Sequence, residues 1–103
     1  MSIVLRPQAR HELADVLAFI RASNPRAADD VRDGVQRTLD LLEANPLSGS
    51  RLRTRNTNLG GLHFAAVSRY PQFVILYLPT ATGIEVLHIV RGRRHLGRLV
   101  IHD

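Results

Sequence analysis

Residues 69–91, "RYPQFVILYLPTATGIEVLHIVR", decide how this chain folds. Phe73–Leu78 is apolar at every position and is the longest uninterrupted apolar run in the sequence. It is far too short for a membrane helix, which needs roughly 20 residues. A strand that is apolar at successive positions, instead of alternating, must be covered on both faces. The run is therefore predicted to be the central strand of a sheet. Strands are predicted at 72–79 and 84–91, joined by "TATG", whose glycine suits a hairpin turn, and a third at 62–68, ahead of "RYPQ". The three form an antiparallel meander.

A central strand needs a second layer, and the sequence upstream supplies one. Residues 3–6, "IVLR", are a short β-rich run stopped by Pro7, which places a first strand there. From Ala9 onward Leu13, Val16, Leu17 and Ile20 recur at helical spacing, giving an amphipathic helix of about four turns. Asn24-Pro25 is an N-cap followed by a residue preset for the first helical turn. Ala28, Val31, Val35, Leu39 and Leu42 then continue at intervals of three and four until Asn45-Pro46. With three or four residues between them, the two helices are expected to pack as an antiparallel hairpin, with Asp33 and Arg37 as an exposed i,i+4 pair. "PLSGSRLRTRNTNLGG" reads as a long basic loop. The fold class is α+β: an N-terminal strand and a helical hairpin on a small, mainly antiparallel sheet, in a single domain over 1–103.

Charge is divided along the chain. Residues 1–45 hold six arginines and seven acids, a net of −1, whereas 46–103 hold eight arginines against Glu85 and Asp103, a net of +6. Every cation is arginine, whose planar fork suits phosphate and carboxylate. The basic half implies an anionic partner, either nucleic acid or an acidic protein segment. The chain has no cysteine, so disulfides and thiolate zinc sites are excluded. The acids Glu12, Asp15, Asp29, Asp30, Asp33, Asp40 and Glu43 read as solvated helix faces with no metal-ligand spacing, so neither metal nor cofactor is expected. The start "MSIVLRPQAR" lacks the apolar core of a signal peptide, and a cytoplasmic protein with no membrane partner is expected.

Behind the last strand lies "VRGRRHLGR", residues 90–98. Glycine lets a backbone approach a ligand closely and arginine adds forked donors, so the stretch suits an anion-binding surface. Arg69, Arg91, Arg93, Arg94, His95 and Arg98 are the candidate contacts, set against a plain solvated tail. Arginines stabilise charge but do not relay protons near neutral pH. Any proton transfer would fall to His63, His88 or His95. His88, inside an apolar strand, reads as structural, whereas His63 and His95 stay open between structure and site. Tyr77 reads as a packed ring with a bonded hydroxyl.

The order of these segments resembles the ParE/RelE superfamily of toxins from type II toxin–antitoxin systems. The resemblance rests on "LRPQARHELADVLAFI", on "NPRAADDVRDGVQRTLDLLEANPLSGS", on "SRYPQFVILY" and on "IEVLHIVRGRR" with its glycine turn and arginine, and it covers about 95 residues. It implies a toxin held by a cognate antitoxin (ParD-like or related) in a hetero-oligomer. In the ParE-like branch it implies a non-catalytic inhibitor of DNA gyrase. In the RelE-like branch it implies a ribosome-dependent mRNA endoribonuclease with His63, Arg91, Arg94 and His95 as candidate catalytic residues. A third reading is a degenerate toxin that retains only antitoxin binding. His63 stands where many members carry an arginine, and the tail "HLGRLVIHD" lacks the tyrosine usual in the ribonuclease branch. Both weaken the ribonuclease reading, and the missing tyrosine and the long helical hairpin favour the ParE-like branch. On the hairpin, Leu13, Leu17, Val31 and Val35 are expected to bind the antitoxin.

Overall fold

The computed structural model describes residues 2–52 and 61–92. Seven elements follow in order: β1 (Ser2–Leu5), α1 (Pro7–Ser23), α2 (Pro25–Ala44), β2 (Ser50–Arg51), β3 (His63–Val67), β4 (Tyr70–Pro79) and β5 (Gly83–Arg91). The strands form one sheet in the order β1-β5-β4-β3-β2. All neighbours are antiparallel except β1, which runs parallel to β5. The helical hairpin covers one face.

The helices are as the spacing predicts, but their connection is tighter than expected. A single residue, Asn24, ends α1 by donating its N–H to Ile20 O at 2.8 Å. Its side chain then caps α2 by accepting from Ala27 N–H at 3.1 Å. Pro25 needs no N–H bond at the first helical position, which allows so short a link. The Asp33 carboxylate lies 3.8 Å from Arg32 Nε, in place of the expected partner Arg37. The segment read as wholly loop contains β2, two residues paired with Phe64 and His63, too short to leave a periodic signal.

Strand β4 is buried on both faces. Phe73, Ile75 and Tyr77 meet Val31, Val35, Leu39 and Leu42 beneath the helices. Val74 and Leu76 join Leu62 and Leu87 in a smaller cluster on the other face, flanked by Leu52, Phe64, Leu78 and Val90. In β5 the register shifts, so that Leu76 faces His88 but Tyr77 faces Val86, leaving Leu87 as an extra residue. This bulge resets the alternation: Ile84 and Val86 before it and Ile89 after it all face the helices.

Gly83 has a reason other than the expected turn geometry. A Cβ there would overlap the Ser2 carbonyl, because β1 lies against it in parallel pairing. Arg6 Nε, 3.1 Å from a Glu85 carboxylate oxygen, adds an exposed tie between the end of β1 and β5. Gly83→Ala is expected to force β1 off β5 and to lower stability by about 1–3 kcal/mol, the range for overpacking a tight contact. Urea unfolding would show this as a lower midpoint; an unchanged midpoint would mean that β1 adds nothing to stability.

Candidate functional site

The C-terminal end of β5 brings the first residue of the basic stretch to a defined place. Gly92 takes a left-handed φ of 84°, which glycine adopts without strain, and its N–H donates to Gln72 O at 2.8 Å. The end of β5 is thereby fixed to the start of β4. Arg91 is exposed and stands opposite Phe73 in the register, so it shares the helix-facing side. It makes no ion pair among the described residues. Arg93, Arg94, His95 and Arg98 lie outside the described residues.

Beside Arg91 opens an apolar groove of about 500 Å³, walled by Val16, Phe19 and Ile20 of α1, Val31 of α2, and Tyr70 and Phe73 of β4. Asp15 and Arg91 are its charged residues. Phe19 is 77% exposed. The sequence pattern grouped Leu13, Val16, Leu17 and Ile20 as the apolar stripe and gave no role to Phe19, which falls outside that spacing.

The remaining candidates are placed as follows. Val31 and Val35 are buried in the core, and Leu13 and Leu17 are half-buried against it. Val31 also lines the groove, whereas Val35 is covered by its core contacts. Arg69 has a φ of 70° and lines a small polar hollow with Asp30, Asp33, Arg37 and Tyr70. His63 is buried, its Nδ1 is 2.6 Å from Gly61 O, and its ring centroid is 5.6 Å from that of Tyr77. His63 pairs with Tyr77 on one side of β4, while Arg91 pairs with Phe73 on the other. Four residues along a strand and two strand spacings across put their backbones about 16 Å apart. They do not share one scissile phosphate.

Two buried polar arrangements hold this architecture. Tyr77 donates its hydroxyl to Pro46 O at 2.8 Å and accepts from Gly49 N–H at 3.0 Å, tying the exit of α2 to the central strand. Burial pushes the hydroxyl's pKa above its usual 10.0, and the Gly49 bond offsets part of that rise. Glu12 is the larger departure from expectation. Only 18% of its side chain is exposed; the carboxylate lies 3.1 Å from His88 Nδ1 and accepts from Ile89 N–H at 3.2 Å. β1 ends its pairing with β5 at Val86, so Ile89 N–H lies past the end of β1. Glu12 satisfies this edge group in place of a strand. The bulge at Leu87 was not visible in the sequence, and with it the reason for an acid in this helix turn.

Among the described residues there is no group of three or more His, Asp or Glu arranged to hold a metal ion. No helix among them is long and apolar enough to cross a membrane. Residues 3–96 match the family described as "ParE toxin of type II toxin-antitoxin system, parDE". The chain belongs to the ParE toxin family. A solved structure titled "Chromosomal ParDE TA system from P. aeruginosa" is similar in fold, with a TM-score of 0.71 at 16% identity over 90% of this chain and 97% of that one. No curated protein sequence matches. For this ParE family member, the order of strand, hairpin and meander is thus accounted for, with β1 completing the sheet in parallel.

Two substitutions test the polar anchors. Glu12→Ala leaves Ile89 N–H and His88 without their acceptor and is expected to cost about 1–3 kcal/mol, read as a lower urea midpoint. Tyr77→Phe is expected to cost a similar amount at neutral pH. Above pH 10 the unfolded tyrosine loses its proton before the folded one does, so the folded state binds more protons and stability falls as pH rises. The gap between wild type and Tyr77→Phe should therefore narrow above pH 10, and a constant gap would place the hydroxyl in water.

Proposed function

We propose that this ParE toxin inhibits DNA gyrase without itself being an enzyme, acts in the cytoplasm, and is neutralised by a cognate antitoxin in a hetero-oligomer. The observation that carries the reading is the family match over 3–96. The site geometry supports the non-catalytic form of it. His63, the described histidine nearest in role to a ribonuclease base, is buried against Tyr77 and Gly61 at the far corner of the sheet from Arg91. The ribosome-dependent ribonuclease reading would need its proton transfer from His88, which is engaged by Glu12, or from His95. An antitoxin partner agrees with the similar fold in the P. aeruginosa ParDE system.

The target surface in this reading is Arg91 at the end of β5 with Arg93, Arg94, His95 and Arg98, which follow it in the sequence, and Arg69. Three of the helix arginines are already engaged locally. Arg21 bonds Asp29 at 3.3 Å, Arg32 stands between Asp29 and Asp33, and Arg10 reaches Leu5 O at 3.4 Å. An acidic, partly apolar antitoxin segment would meet the arginines of the target surface together with exposed apolar residues such as Leu41 on α2 and Leu47 in the turn after it, 57% and 75% exposed. Leu13, Leu17 and Val31, with the groove that Val31 lines, remain the expected contacts on the hairpin. Such a segment can be disordered when free and fold on binding.

Purified toxin incubated with gyrase and relaxed plasmid is expected to block supercoiling or trap cleaved DNA. Alanine at Arg91, Arg93 and Arg94 together should relieve growth arrest and gyrase inhibition at least about tenfold, with circular dichroism unchanged, because each lost charge-assisted contact is worth about 1.5 kcal/mol or more. Alanine at Arg10, Arg21 and Arg32 should leave inhibition near wild type. Codon-position cuts in ribosome-bound mRNA with normal gyrase activity would instead establish the ribonuclease reading.

A further inference from the structure

The groove at the connected end of the hairpin, near Asn24, has a feature that the toxin reading does not use: it is complementary to itself. Phe19 is a protruding aromatic, 77% exposed, at the edge of a hollow whose other walls are Val16, Ile20, Tyr70 and Phe73. A knob and a hole of matching chemistry therefore sit side by side on one surface. The charges match in the same way. Asp15, one helical turn before Phe19, and Arg91, on the last residue of β5, both line the groove. Among the described residues Asp15 has only His11 in ion-pair range, at 3.3 Å, a pairing that needs a protonated histidine, and its side chain is 70% exposed. Arg91 has no ion-pair partner among the described residues.

A twofold axis turns this pattern into an interface. In an isologous contact, residue i of one copy meets residue j of the other, and j meets i. We propose that the groove binds a second copy of this chain, each Phe19 seated in the partner's hollow and each Asp15 paired with the partner's Arg91. A uniformly acidic segment fits this groove less well, since Asp15 would repel it. Burying an aromatic removes about 150–250 Å² from water. Two such rings with the groove walls stay near or below the roughly 1,200 Å² of the smallest stable interfaces, so the dimer is a weak one, with a dissociation constant in the micromolar range or above. It covers Arg91 in both copies. Taken with the function proposed above, on which this consequence alone rests, toxin free of antitoxin would hide part of its target surface as its concentration rises.

Sedimentation equilibrium of the full chain from about 1 to 300 µM tests the interface directly. Wild type is expected to shift from monomer to dimer across this range. Phe19→Asp should raise the dissociation constant at least about tenfold. Asp15→Arg and Arg91→Glu should each weaken self-association, because each creates two like-charge contacts per dimer. An equimolar mixture of Asp15→Arg and Arg91→Glu should associate more strongly than either alone, since every pair in the mixed dimer is again of opposite sign. That rescue is specific to a twofold Asp15–Arg91 contact and does not depend on either variant having wild-type stability. A monomer at all concentrations, or a dimer indifferent to Phe19→Asp with no rescue on mixing, would overturn the proposal. Growth arrest measured in parallel separates the two readings: a toxin that arrests growth yet stays monomeric removes the dimer and leaves the toxin function intact.

Discussion

Strand β4 is the constraint on which the rest of the molecule depends. Val74, Ile75, Leu76 and Tyr77 are all at most 1% exposed, so neither face of the strand meets water. The helical hairpin covers one face. Leu62, Leu87 and their neighbours cover the other with a much smaller cluster. Burying four consecutive side chains of this kind removes enough apolar surface to stabilise the fold by several kcal/mol relative to leaving them exposed. It also fixes register, because a slip of one residue would exchange the two faces. Exchange would move Tyr77 away from Pro46 and Gly49, leaving its hydroxyl in an apolar setting without partners.

The parts of this arrangement that were legible in the sequence are those with strong local signals. "FVILYL" announces a doubly covered strand by its lack of alternation, and Asn24-Pro25 announces a helix start by capping chemistry. The parts that were not legible depend on pairing between distant segments. β2 is two residues long and exists only because β3 offers an edge to it. The bulge at Leu87 shifts the face of every residue after it, so simple alternation would have put His88 beneath the helices and Ile89 outside. Glu12 reads as one more solvated acid until the bulge exposes an edge N–H for it to satisfy. Gly83 looks like a turn residue, although its demand comes from Ser2 at the other end of the chain.

The candidate site shows the same division. Arginine content and position pointed to the end of β5, and the structure places Arg91 there, exposed and unpaired among the described residues. Burial was harder to read for the histidines. His63 falls within the expected strand at 62–68 but stayed open between structure and site, and its pairing with Tyr77 draws it into the core. Periodicity also hid the groove. A helical stripe identifies side chains that face the sheet, and Phe19 is conspicuous because it does not; only the combined surface of α1, β4 and β5 gives it a context.

Edge protection links the fold to its surfaces. A five-stranded sheet has two edges, and an exposed edge invites pairing with other chains. Here β2 keeps one edge very short, and on the other β1 covers β5 only as far as Val86. Beyond that point Glu12 meets the open N–H of Ile89 and engages His88, so a carboxylate stands where a further strand would pair. Gly92 N–H is directed to β4, and by alternation Arg91 N–H faces the other side, toward the open edge. The upper half of β5 is therefore protected by charge and by α1 instead of by a strand. That leaves the Arg91 side chain and the neighbouring groove accessible without leaving a long, flat, apolar edge. A longer β1 would have protected the edge more fully, but it would have displaced Glu12 from Ile89 N–H.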